Sequence, residues 1–110
     1  MIFCPKYRKK ILYGEVSERL KQLLLSKSNE LQCEIVEMEV MPDHVHILVK
    51  CDPQFGIHKT VKHLKGFTSR ILRQEFRHLV SSMPSLWTNS YFVATVGSIS
   101  LDVVKQYIES

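Results

Sequence analysis

Hydrophobic and polar positions change period several times along this chain, and each change marks an element. Ile2 to Cys4 is a short apolar run closed by Pro5 and reads as a strand, and Tyr13-Gly14-Glu15 reads as a turn. From Val16 the apolar positions Leu20, Leu23, Leu24 and Leu31 recur at helical spacing, with Arg19, Lys21 and Glu30 off the stripe, which predicts a first helix. Cys33 to Met41 then alternates, placing Val36, Met38 and Val40 on one face and Glu37 and Glu39 on the other, the period of a half-buried strand. Pro42-Asp43 has turn chemistry, and His44 to Cys51 is a second alternating run, so the two strands form a hairpin. Val45, Ile47, Val49 and Cys51 make the face expected to bury against helices, and His44, His46, Leu48 and Lys50 make the opposite one.

After Asp52-Pro53, the residues Ile57, Val61, Leu64, Ile71 and Leu72 fall near helical spacing between about Phe55 and Phe76, the longest predicted helix. Gly66 inside it costs about 1 kcal/mol relative to Ala, which predicts a bend or a close backbone approach at that point. Ser81 to Ser90 reads as a loop and Tyr91 to Val96 as an apolar strand ended by Gly97-Ser98. Leu101 to Ser110 reads as a final helix capped by Ser100, with Asp102 opposing the positive end of its dipole. The order β-α-β-β-α-β-α predicts an α+β fold: a ferredoxin-like four-stranded antiparallel sheet with two helices on one face and a C-terminal helix docked elsewhere.

The chain of 110 residues, 45% of them hydrophobic, suits one core and one domain. No apolar run reaches membrane-spanning length and the start is not patterned as a signal peptide, so the expected location is cytoplasmic and no membrane partner is expected. Cys4, Cys33 and Cys51 lack C-x-x-C spacing and lie in or beside apolar runs, as buried reduced thiols do. The 15 Lys and Arg exceed the 11 Asp and Glu only modestly, but they cluster. Lys6, Arg8, Lys9 and Lys10 form one group, and Lys59, Lys62, Lys65, Arg70, Arg73 and Arg77 form another against the single Glu75. On charge alone, a phosphate-binding surface and a solvated helix face both remain open.

The candidate chemistry lies in Pro42-Asp43-His44-Val45-His46. Residues two apart on a strand share a face, so His44 and His46 can converge on one metal ion or one phosphate. At the other end of the chain Tyr107 shares a helical face with Val103. A phenol, with a pKa of about 10, needs a nearby cation or base to act as a nucleophile. A divalent ion on the histidines could polarise a phosphate and stabilise the charge that develops on attack.

Several blocks, in order, carry a resemblance over nearly the whole chain: Phe3-Cys4-Pro5-Lys6-Tyr7-Arg8, Met41-Pro42-Asp43-His44-Val45-His46, Asp52-Pro53-Gln54-Phe55-Gly56-Ile57-His58-Lys59, Leu64-Lys65-Gly66, Leu86-Trp87-Thr88-Asn89-Ser90-Tyr91-Phe92 and Val103-Val104-Lys105-Gln106-Tyr107-Ile108. Together they resemble the small transposases of the 200/605 type of insertion sequences, enzymes of the histidine-hydrophobic-histidine class with one catalytic tyrosine. The resemblance implies that His44 and His46 bind Mg²⁺ or Mn²⁺, and that Tyr107 attacks single-stranded DNA to leave a 5′-phosphotyrosine link and a free 3′-OH. It implies a homodimer whose active sites combine the histidines of one subunit with the tyrosine helix of the other, and recognition of hairpins at the element ends. It also implies a third ligand, a glutamine one helical turn past the tyrosine. That place is position 111, beyond Ser110, and the family's first strand usually begins some residues before the equivalent of Met1, so the domain of residues 1–110 is expected to be trimmed at both ends relative to the family.

Lys6, Arg8, Lys9, Lys10, Lys59, Lys62, Lys65, Arg70 and Arg73 are the expected DNA contacts, holding phosphates while bases are read elsewhere. Trp87 and Phe67 are considered as platforms for an unpaired base, against the alternative of core packing, and His58, His63 and His78 are assigned to helix surfaces. Two other functions stay open at this point. One is a non-catalytic DNA or RNA hairpin-binding remnant of such an enzyme. The other, a structural metal protein or metal-dependent hydrolase, is weakened because stable sites usually need three or four ligands and the strand names only two.

Overall fold

The computed structural model describes residues 1–51 and 54–93. Strand β1 is Ile2–Phe3, helix α1 is Gly14–Glu30, strands β2 and β3 are Glu34–Met41 and His44–Lys50, and helices α2 and α3 are Ile57–Glu75 and His78–Ser82. The sheet is antiparallel with the order β1-β3-β2, so the histidine strand is its centre. Beside β1, Phe92 forms an isolated antiparallel bridge with Ile2, exchanging backbone hydrogen bonds of 2.8 and 2.9 Å. The expected final helix, the end of the expected fourth strand and Tyr107 lie outside the described residues.

The alternation of β3 sorts its side chains as expected. Val45 and Ile47 are fully buried and join Leu20, Leu24, Val61, Leu64 and Leu72 in one core between the sheet and the two long helices. Each such side chain contributes roughly 1.5–3 kcal/mol by leaving water. His44, His46 and Leu48 therefore face away from α1 and α2 and are half-buried. Ile2, cross-strand partner of His46, shares that face and is itself buried.

The prediction for β2 needs correction at one residue. Pairing from the two-residue turn runs Met41 with His44, Glu39 with His46 and Glu37 with Leu48, but then shifts so that Ile35, not Val36, takes the next place opposite Val49. Val36 is the extra residue of a β-bulge, and the bulge moves it off the Met38–Val40 face. It is 47% exposed, while Ile35 packs on the core in its place.

Three further expectations differ. Helix α1 begins at Gly14, whose φ of +58° suits glycine, so the expected turn residue is already the first residue of the helix. Within the expected loop from Ser81, the chain first completes the short helix α3. Gly66 marks no close approach: α2 runs through it, and a Cβ added there would meet nothing within 4 Å. Its place on the exposed face of α2 explains why the missing side chain costs no packing.

Trp87 belongs to the core. Its ring meets Phe3 edge-on, with centroids 4.8 Å apart, and its indole Nε1 donates to Thr68 Oγ1 at 3.0 Å. The Thr68 hydroxyl in turn donates to Leu64 O at 2.7 Å, so the buried indole N–H and the buried hydroxyl are both satisfied. Phe67 is half-buried with Lys27 and Arg70 over its ring at 5.1 and 5.9 Å. The three cysteines are thiols rather than disulfides, Cys4 and Cys33 buried and Cys51 half-buried. Among the described residues no helix is long and apolar enough to cross a membrane.

Candidate functional site

A two-residue turn fixes where the histidines go. Because Pro42 and Asp43 alone connect β2 to β3, the register sets Met41 opposite His44 and Glu39 opposite His46. Glu37, Met38, Glu39 and His46 line a cavity of about 420 Å³. Burial lowers the pKa of His46, with the amino group of Met1 and His44 adding to the effect and Glu39 and Glu37 opposing it. Its neutral form, the one that can donate a lone pair to a metal, is thereby favoured.

His44 is held differently. Its Nδ1 lies 2.9 Å from Asp43 Oδ1, and the other carboxylate oxygen, Oδ2, accepts from Arg8 Nη2 at 3.0 Å. The hydrogen bond from His44 lowers the Asp43 pKa against the opposing effect of burial, and Arg8 adds to that lowering. An ionised carboxylate only accepts, so the Nδ1 of His44 is the protonated nitrogen, and in the neutral imidazole the lone pair lies on Nε2. Among the described residues, no third His, Cys, Asp or Glu completes a metal-binding group around this pair.

The basic residues fall into distinct settings. In the first group, Lys9 and Lys10 are exposed and Lys6 half-buried, whereas Arg8 is committed to Asp43. On α2, Lys59, Lys62 and Arg70 are exposed. Lys65 turns inward instead: its Nζ donates to Thr88 O at 2.6 Å and Ser90 O at 3.3 Å, and burial lowers its pKa. Arg73 is half-buried and donates to Met83 O at 3.4 Å. Two shallow cavities meet at Gly66 and Arg70. One, of about 270 Å³, is lined also by Lys27, Lys62, His63 and Phe67. The other, of about 420 Å³, is lined also by Ser69, Arg73, Gln74, Arg77 and Val80. The nearby Glu75 is held by two hydrogen bonds from Arg19, of 2.8 and 2.9 Å, so its charge is already matched.

His58 and His63 are exposed on α2, as expected; His58 Nδ1 lies 2.8 Å from Tyr91 Oη, and the His63 ring sits against Phe55. His78 is exposed at the start of α3. The structure thus brings His44 and His46 together and adds two residues to which the sequence pattern assigns other roles, Asp43 as a turn residue and Arg8 as a DNA contact. The register of a two-residue turn is enough to find Glu39 beside His46, whereas the reach of Arg8 across the fold leaves no local signal.

Comparison with known proteins places the chain among transposases. The family model described as "Transposase IS200 like" matches residues 1–110. The ISDra2 transposase TnpA of Deinococcus radiodurans is 38% identical over 112 residues, an alignment covering 100% of this chain and 80% of that protein. The transposase for insertion sequence element IS200 of Salmonella typhimurium is 29% identical over 114 residues, covering 99% of this chain and 75% of that one. The crystal structure of a candidate transposase from Deinococcus radiodurans superposes with a TM-score of 0.90 at 39% identity, covering 98% of this chain and 85% of that chain. With a full-length family match and relatives of this similarity, the chain belongs to the IS200-like transposase family.

Proposed function

We propose that this chain cleaves and rejoins single-stranded DNA at the ends of an insertion element, with Tyr107 as the nucleophile and a divalent ion, Mg²⁺ or Mn²⁺, on His44 and His46. The observation that carries the reading is the pair of half-buried imidazoles side by side on the sheet face away from α1 and α2. The donor set fits such an ion in part: His46 is biased to its neutral form, and His44 offers Nε2 because its Nδ1–H donates to the Asp43 carboxylate. The resemblance implies a further ligand one helical turn past Tyr107. A divalent ion bound there supplies Lewis-acid polarisation of a phosphate oxygen.

In this reading the Tyr107 oxygen bonds to phosphorus and gives up its proton, while the bond from phosphorus to the 3′ oxygen breaks and that oxygen gains a proton. The product is a 5′-phosphotyrosine with a free 3′-OH. Attack by a 3′-OH on this link restores a phosphodiester and returns the phenol. One ester replaces another at each step, so ATP is not needed. The protein acts as a homodimer with sites shared between subunits, and its exposed cations hold the phosphates of hairpins near the element ends. The bridge between Ile2 and Phe92 supports a fourth strand beside β1, as in a ferredoxin-like sheet.

The test is incubation with a labelled single strand carrying the element end and Mg²⁺ or Mn²⁺. A protein–DNA adduct that survives denaturation is expected from the parent chain and lost in Tyr107→Phe. An adduct retained by that variant removes Tyr107 as nucleophile. Salt-sensitive hairpin binding with no adduct under either ion selects the non-catalytic remnant instead.

A further inference from the structure

The path from Arg8 to His44 gives one basic residue a task other than DNA contact. Arg8 ends a single turn of 3-10 helix, Lys6–Arg8, in which Tyr7 and Arg8 both have positive φ, 61° and 50°. Successive non-glycine residues rarely adopt that conformation, and the surrounding backbone holds it here. Lys6 N donates to Leu86 O and Arg8 N to Pro5 O, each at 2.8 Å, and Pro5 bridges Trp87 of the core. The turn aims Arg8 across the fold: its side chain is two-thirds buried, its Nε is out of solvent, and its Nη2 meets Asp43. Tyr7 beside it is 68% exposed, so apolar burial of the tyrosine is not what the turn serves.

We propose that Arg8 and Asp43 are positioning residues that lock the His44 imidazole with its proton on Nδ1 and its lone pair on Nε2. Each oxygen of the Asp43 carboxylate has its own partner, Arg8 on Oδ2 and His44 on Oδ1, so rotation of the carboxylate is opposed from both sides. A neutral histidine without such a partner exchanges its proton between the two nitrogens, and in water it favours Nε2–H, the tautomer that blocks the atom needed for a metal. Arg8 thus serves the histidine pair rather than a DNA phosphate. The benefit to metal binding rests on the function proposed above; the tautomer itself does not.

Long-range ¹H–¹⁵N spectra of the full chain with ¹⁵N-labelled histidine, recorded without metal at alkaline pH, read the tautomer directly. His44 is expected as Nδ1–H in the parent, shifted towards Nε2–H in Asp43→Ala, partly shifted in Arg8→Ala and returned towards the parent in Arg8→Lys. Because Asp43 lies in the hairpin turn, the Arg8 variants keep the test valid should Asp43→Ala fail to fold. Mn²⁺ affinity, from the paramagnetic resonance of the free ion, is expected to fall about tenfold or more in Asp43→Ala and less in Arg8→Ala. Arg8→Ala is also expected to leave the salt dependence of single-strand binding unchanged, unlike Lys10→Ala. An Nε2–H tautomer in the parent, or a tautomer indifferent to both Arg8 and Asp43, overturns the proposal. So does a loss of salt dependence in Arg8→Ala matching that of Lys10→Ala. If instead His44→Ala and His46→Ala leave Mn²⁺ affinity intact, it is the metal reading that fails, and the tautomer result stands apart from it.

Discussion

The surroundings of His44 and the outer face of α2 meet charge in opposite ways. Around His44 the charged groups are matched and partly buried, with Arg8 on Asp43 and Asp43 on His44. On the outer face of α2 and at the start of α3, none of Lys59, Lys62, Arg70, Arg73 or Arg77 has an ion-pair partner among the described residues, and Glu75 is occupied by Arg19. Matched groups on a central strand hold a geometry, which bond-making requires. Unmatched cations on long side chains hold none, but they raise the local concentration of any phosphate backbone. A chain that must both grip DNA and react with it gains from separating the two tasks.

The separation predicts its largest effect at the histidines. His46→Ala is expected to lower adduct formation by at least about 100-fold, the scale of losing a metal ligand or electrostatic catalyst. Hairpin binding, measured by fluorescence anisotropy at fixed salt, should change less than about threefold, since a lost neutral side chain removes no phosphate charge. A parallel fall in both quantities would mean that the two faces are not separate.

Next in size is the buried join that ties α2 to β1. Thr68→Val leaves the Trp87 indole N–H buried without its acceptor, a loss of about 1–3 kcal/mol in chemical denaturation. DNA affinity at a temperature well below unfolding is expected to stay unchanged, because Trp87 is only 4% exposed and cannot stack a base. Weaker hairpin binding by folded Thr68→Val would return Trp87 to the DNA surface.

How much of this is legible in the sequence differs between the two faces as well. The alternation of β3 sorts Val45 and Ile47 from His44 and His46 correctly, because a strand has a strict period of two and one face of it is buried. The same rule misplaces Val36, since a bulge inserts a residue without altering the local pattern of apolar letters. Charge clustering marks Lys65 only as a cation, and gives no sign that its ammonium ties α2 to the carbonyls of Thr88 and Ser90. Arg8 and Asp43 are 35 positions apart, so only the folded sheet and the turn before it make them neighbours. Composition reads the charge of a segment; it does not read which cations the fold consumes.

Removing the cations that the fold leaves unmatched should act on grip alone. Arg70→Ala with Arg77→Ala is expected to weaken hairpin binding several-fold. The slope of log affinity against log salt should fall by about 0.7 for each single-strand phosphate that is no longer neutralised. Adduct formation at saturating DNA should remain near that of the parent. A lower rate at saturation would place these arginines in the reaction rather than in the hold on its substrate.

The smallest effect separates stability from binding at one residue. Gly66 lies at the meeting of the two shallow cavities, in regular helix and with space for a methyl group, so Gly66→Ala is expected to stabilise the chain by about 0.5–1 kcal/mol. Glycine there lacks a conformational reason, since Gly66 is not among the glycines of positive φ. Its remaining advantage is a bare stretch of helix between Lys62 and Arg70 where a DNA backbone can approach. Gly66→Ala should therefore melt higher yet bind hairpins slightly more weakly, and Gly66→Leu, which fills the gap, should weaken binding further without loss of fold. Unchanged affinity in Gly66→Leu would confine the grip to the long side chains around the gap and remove the helix surface itself from the interface.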